Sequence, residues 1–219
     1  MQNPIRPTLK TEIIPIILIL ISIPLSFYFY ANFPDRVPTH WNFAGEVDGW
    51  SSRGFAAFFF PALIAAIYLM MLIIPYADPK RERYDQFKKI YHLVKLILVI
   101  FFVLIYIVSG LIGIGYNLPI KIFIPTGVGL LFIILGNYLG KVKQNWFMGI
   151  RTPWTLSSDI VWNKTHRLGG KLFIVAGLIM ILGAFIPAKF YGPLFIIGIS
   201  SVLLIPIIYS YIIYRQEKK

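Results

Sequence analysis

The sequence predicts an all-α, polytopic membrane protein of six transmembrane helices with both termini cytoplasmic. Three observations carry this. Of 219 residues, 58% are hydrophobic and 14% charged, against about a quarter charged in water-soluble domains. The apolar residues also come in long uncharged blocks, at 13–31, 54–77, 96–120, 122–140, 172–188 and 191–214. A helix rising about 1.5 Å per residue crosses a bilayer core of roughly 30 Å in about 20 residues. Finally, basic residues are unevenly placed. Arg36, Arg53, Lys121 and Lys189 fall on one side of six spans, and the remaining Lys and Arg, of 21 in all, on the side of the termini. Lys and Arg accumulate on the cytoplasmic side, so the expected topology is N-in and C-in, with residues 31–53 extracytoplasmic.

The net charge of +12 is accounted for by this asymmetry and by attraction to anionic phospholipids, and direct nucleic-acid contact is not expected. The absence of cysteine removes disulfides, thiolate metal sites and a thiol nucleophile. The first block outruns a signal-peptide apolar region and lacks a clean small-residue cleavage site, so it is expected to be retained as a helix.

Span one, about Glu12–Tyr30, carries Pro15 in its first turn and Pro24 in its interior, where a kink is expected. Phe27 to Tyr30 suit an interfacial aromatic belt. Span two covers about Phe55–Tyr76. The mixed-sign string KRERYDQFKK then reads as a helix or an extension of span three, with Asp85 to Lys89 the favourable i,i+4 pair. Spans three (about Leu93–Tyr116) and four form a hairpin. Span four ends in LGNYLG, where Gly136 and Gly140 permit close helix approach. A short helix from about Ser158 to Arg167, ending near Gly169-Gly170, should precede span five, with an earlier helix start at Thr152-Pro153. A tight turn at 187–192 joins spans five and six. The ionisable residues cluster at span ends or in loops, which argues against an ion-driven pump.

The stretch PTHWNFAGEVDGWSSR, Pro38 to Arg53, mixes turn formers with large rings. It reads either as a rigid connector anchored by its tryptophans or as a binding surface made by His40, Trp41, Asn42, Glu46, Asp48 and Trp50, with Asp35, Glu46 and Asp48 attracting cationic groups. One histidine with two carboxylates is a loose metal pattern, without HExxH or calcium-loop spacing, so neither a metal nor a cofactor is expected. No serine sits in a nucleophile context, and no catalytic residue is assigned. The segment KVKQNWFMGIRTPWTLSSDIVWNKTHRLGG, starting at Lys141, is polar yet rich in tryptophan. It reads as an interfacial anchor with Arg151, Lys164 and Arg167 towards phosphates, as a docking site for another protein, or as a polar pocket including Arg151 and His166.

These two stretches carry a family resemblance. Pro38, His40, Trp41, Asn42, Gly45, Asp48, Gly49 and Trp50 resemble the signature of the bacterial DUF1648 module. Gly136, Asn137, Asn145, Gly149, Arg151, Thr152, Pro153, Trp154, Thr155, Leu156, Trp162, Thr165, His166 and Gly169 resemble the SdpI-like immunity family. The resemblance divides the chain into a DUF1648-like module at 1–90, with two spans, and an SdpI-like module at 91–219, with four. It implies a non-enzymatic protein of the bacterial plasma membrane that protects against, or senses, a secreted antimicrobial peptide outside. It also implies signalling through a cytoplasmic repressor. The expected contacts are the six outer residues above and, inside, Asn137, Asn145, Arg151, Thr152, Trp154, Trp162 and His166. The alternatives are a small-molecule or lipid transporter and a membrane enzyme acting on an envelope substrate.

Overall fold

A computed structural model describes residues 5–218. The helices are α1 (Leu9–Asn32), α2 (Arg53–Ala77), α3 (Lys88–Gly113), α4 (Ile120–Leu139), the short α5 (Pro153–Ser157), α6 (Asp159–Gly183) and α7 (Ala188–Glu217). A 3₁₀ turn, Arg81–Phe87, leads into α3. Six helices among the described residues are long and apolar enough to cross a membrane. The all-helical six-span class therefore holds. One element was not expected: the connector between the first two spans forms a two-stranded antiparallel hairpin, β1 (Arg36–Trp41) and β2 (Val47–Ser52).

The chain forms two compact units. One comprises 7–72 and 95–125, the other 5–6, 73–94 and 126–218. In the first, α1 opens at Thr8, whose side chain accepts from the Thr11 N–H in a capping box. The helix thus starts a turn earlier than expected, and Pro15 lies beyond its first turn. Pro15 and Pro24 both sit inside one continuous helix, while the Ser22 and Ser26 hydroxyls donate to the carbonyls of Ile19 and Ser22 at 2.7 Å. Phe29, Phe33, Val37, Ala57 and Tyr106 form one buried cluster, and Ile64, Tyr68, Val99 and Val103 another. The Tyr106 hydroxyl donates to the Ala57 carbonyl at 2.9 Å.

An ion pair lies beside the second cluster. Lys95 Nζ donates to both Glu12 carboxylate oxygens at 2.6 Å, and the Tyr68 hydroxyl donates to Glu12 Oε2 at 2.8 Å. The Lys95 side chain is 1% exposed and that of Glu12 9%. This corrects the expectation that every charge sits at a span end or in a loop. Lys95 is seven residues, roughly 10 Å, into α3. An unpaired charge there would be costly, and the bidentate pairing with Glu12 is what makes its burial tolerable.

In the second unit α5 and α7 pack on α6. The expected short helix at 158–167 is not separate: it forms the first turns of α6, capped by Ser158, which accepts from the Val161 N–H. Gly169-Gly170 does not end it. A Cβ at Gly170 would fall 2.5 Å from the Gly136 carbonyl oxygen, and one at Gly177 would fall 2.5 Å from the Gly129 carbonyl oxygen. The close approach therefore runs through Gly129 and Gly136, two turns apart on α4, against Gly177 and Gly170. Gly140 faces α6 more loosely, since a Cβ there would stand 3.4 Å from the Arg167 Cγ and 3.6 Å from its Cα, ordinary contact distances. In the 3₁₀ turn Asp85 pairs with Lys88 at 2.7 Å rather than with Lys89.

Candidate functional site

The hairpin belongs to the first unit and is built from its tip. The Asn42 Oδ1 accepts from the Ala44 and Glu46 N–H groups at 2.9 and 3.1 Å, and its amide donates to Glu46 Oε2 at 2.9 Å. Gly45, at φ 84°, supplies the left-handed residue that the turn requires. Asn42 and Glu46 thus shape the turn. At the base Val37, 1% exposed, joins the Phe29 cluster and fixes which face turns outward.

Strand alternation then exposes Asp48, Trp50 and Ser52 together, with Arg36 and His40 exposed on the facing strand. Trp50 is 50% exposed, and the Arg36 guanidinium lies 5.9 Å from its ring centroid. His40 Nδ1 is 2.5 Å from Asp48 Oδ1, and Arg53 pairs with Asp35 at 2.7 Å. The expected acids therefore already have partners in the fold. Exposed pairs of this type are worth about 1 kcal/mol or less, so an incoming charged ligand can exchange for either partner at small cost. Trp41 is half-buried and contributes packing more than contact surface.

The stretch between α4 and α6 is a cross-braced cap. Buried Asn145 is its clamp: Oδ1 accepts from the Phe147 and Met148 N–H groups at 2.9 and 2.6 Å, and Nδ2 donates to the Lys143 and Met148 carbonyls at 2.8 and 2.9 Å. Asp78, also buried, accepts from the Tyr84 hydroxyl and the Trp146 N–H at 2.8 and 2.9 Å. Gln144 donates to the Thr155 carbonyl at 2.6 Å and accepts from Lys80 and Arg83, and Arg83 pairs with Asp159. Thr152 caps α5, as expected, and its hydroxyl meets that of Ser210 at 3.0 Å.

Trp162 and His166 do share a helix face, stacked with centroids 3.9 Å apart, but neither lies at a surface. Both are buried, and the Trp162 indole donates to the Val142 carbonyl at 2.8 Å. The His166 Nε2 accepts from the Ile150 N–H at 3.0 Å, while Nδ1 faces the Trp162 carbonyl at 2.8 Å and donates to it. With both nitrogens engaged by backbone, His166 is a structural strut and not part of an open pocket. Trp154 is half-buried against Tyr211, and Arg151, exposed, donates to the Trp146 carbonyl at 2.7 Å. Asn137 stays on the exposed face of α4, apart from this network. The exposed rings of the cap are Trp146 and Phe147.

Asp78, Tyr84, Gln144 and the Glu12–Lys95 pair were missed in the sequence. A signal existed for Lys95: Tyr84, Phe87 and Tyr91, all buried, precede it at helical spacing, so one face of that helix was the inner one. Replacing Asn145 by alanine is expected to strand the Phe147 and Met148 N–H groups, each at a cost of about 1–3 kcal/mol. The loss should appear as rapid hydrogen exchange at residues 145–150, while Asn145→Asp, which keeps the accepting oxygen, should lose less.

Residues 141–210 match the model of the SdpI/YfhL protein family, and residues 17–65 match a domain of unknown function, DUF1648. A relative from Bacillus subtilis (strain 168), "Immunity protein SdpI", is 26% identical over 208 residues, spanning 95% of this chain and 98% of its own. Separate parts of the chain are thus similar to the SdpI/YfhL family and to DUF1648, and nearly its whole length is similar to that relative. Its DUF1648 region contains the hairpin, and its SdpI/YfhL region contains most of the cap. No solved structure matches. Among the described residues no group of three or more His, Cys, Asp or Glu is placed to hold a metal ion.

Proposed function

We propose that this protein is a non-catalytic immunity and signal-receptor protein of a bacterial plasma membrane, and that its hairpin meets a secreted antimicrobial peptide. The reading rests on one observation above others. The DUF1648 region presents a folded, ring-bearing polar face, Arg36, His40, Asp48 and Trp50. The likeness over nearly the full length to a relative named as an immunity protein supports a protective role, and the family resemblance implies a secreted antimicrobial peptide as the partner.

In this account residues 31–53 lie outside and both termini inside, as the distribution of basic residues favours. The division near residue 90 separates a sensing module from a four-helix module carrying the cap. A cytoplasmic repressor would dock on the exposed parts of the cap, Trp146, Phe147 and Arg151, the clamps at Asn145 and Thr152 holding that surface in shape.

The test is expression in a sensitive host, challenged with a panel of envelope-active peptides. Wild type should raise survival against at least one of them. Trp50→Ala with Asp48→Asn should abolish that protection at unchanged membrane abundance. Protection that survives the double substitution would exclude the hairpin face as the contact.

A further inference from the structure

One face of α6 changes character partway along. Lys164, Arg167 and Lys171, spaced i, i+3, i+7, are all exposed, and the same stripe continues as Val175, Leu178 and Leu182, which are 53%, 48% and 67% exposed. Three cations thus lie within roughly 10 Å along the helix axis and lead directly into an aliphatic run. Gly140 lets the Arg167 side chain lie across the end of α4, its Cγ 3.4 Å from where a Cβ would stand. Lys141, the next residue, is exposed, with its ammonium 4.9 Å from the Tyr138 ring centroid.

Among the described residues none of Lys164, Arg167 and Lys171 forms an ion pair. Four of the five acids of the same unit are engaged elsewhere: Asp78 with Tyr84 and Trp146, Asp85 with Lys88, Asp159 with Arg83, and Glu217 with the Ser158 hydroxyl at 2.6 Å.

We propose that the basic first half of α6 forms a binding site for the phosphate of an anionic phospholipid, whose acyl chain lies along Val175, Leu178 and Leu182. The occupant follows from the order of the stripe. A lipid has a charged head followed by hydrocarbon, which matches cations followed by aliphatic side chains on a helix apolar enough to span a membrane. An acidic protein segment would satisfy the cations and leave the aliphatic run uncovered. Arginine and lysine together suit phosphate, the one through its planar fork and the other as a mobile point charge. The proposal is independent of any peptide at the hairpin.

The test is native mass spectrometry of the detergent-purified full chain titrated with cardiolipin, phosphatidylglycerol and phosphatidylcholine, with inorganic phosphate and polyglutamate as competitors. Wild type should prefer the two anionic lipids. Combined Lys164→Gln, Arg167→Gln and Lys171→Gln should weaken them by roughly a hundredfold, since each cation near an anionic headgroup is worth about a factor of five. Lys171→Gln alone should weaken them by about fivefold, which keeps the test available if the triple variant misfolds. Lys189→Gln, at the start of α7, should change nothing. Equal binding of phosphatidylcholine by wild type, or anionic-lipid binding untouched by the substitutions, would overturn the site. Displacement by inorganic phosphate at matched concentration would reassign it to free phosphate, and displacement by polyglutamate to an acidic protein.

Discussion

Lys95→Met should destabilise the purified protein by about 3–5 kcal/mol, the cost of leaving one member of a buried ion pair uncompensated. The Glu12 carboxylate would keep the Tyr68 and Thr11 hydroxyls, at 2.8 and 2.9 Å, but lose the ammonium that meets both its oxygens. Adding Glu12→Gln should restore most of the loss, because replacing both partners of a buried pair is close to neutral. Thermal unfolding in detergent checks this. A Lys95→Met protein as stable as wild type would mean the pair carries no weight, and a double variant no better than the single would mean Lys95 acts through something other than Glu12.

Gly170→Ala should also be harmful, in a direction that helix propensity alone gets wrong. Alanine is favoured over glycine in a helix by about 1 kcal/mol, yet its methyl at 170 would stand 2.5 Å from the Gly136 carbonyl oxygen. The two backbones must separate, which loses the packing along Gly129 and Gly177 as well. A net loss of roughly 1–3 kcal/mol is expected for alanine, and failure to accumulate folded protein for Gly170→Leu. Gly140→Ala, whose methyl would stand at ordinary contact distances of 3.4–3.9 Å from Arg167, should be neutral or stabilising. If Gly140→Ala proves the more damaging, the seam between α4 and α6 runs elsewhere.

The six spans were legible because hydrocarbon thickness dictates helix length, and length with composition is what a sequence displays best. Register within the spans was not. LGNYLG pointed to Gly136 and Gly140, but which glycine meets which depends on the rotation of α4 against α6, and the partners Gly170 and Gly177 lie more than 30 positions away. Gly169-Gly170 was misjudged for the same reason: glycine ends helices and also lets them touch. Lys95 looked like one more flanking charge, because its acid is 83 residues distant.

In the hairpin, the turn residues Asn42 and Gly45 were readable and the strands were not. VPTHW and VDGWSS carry proline and glycine where regular strands avoid them, and the pairing departs from strict register on both sides of His40. In the cap, the tryptophans suggested an interfacial layer. Trp162 and His166 are instead interior struts, since the polar atoms of each find backbone partners from residues brought close only by folding.

The central claim is that the hairpin faces the outside of the cell, where a secreted peptide can reach it. The chain has no cysteine, so Ala44→Cys, at the exposed tip, supplies a single thiol. In intact cells that thiol should react with a membrane-impermeant maleimide as fully as after lysis, whereas a cysteine replacing exposed Lys143 should react only once the cells are opened. Labelling at 143 in intact cells, with 44 protected until lysis, would invert the topology and contradict the account.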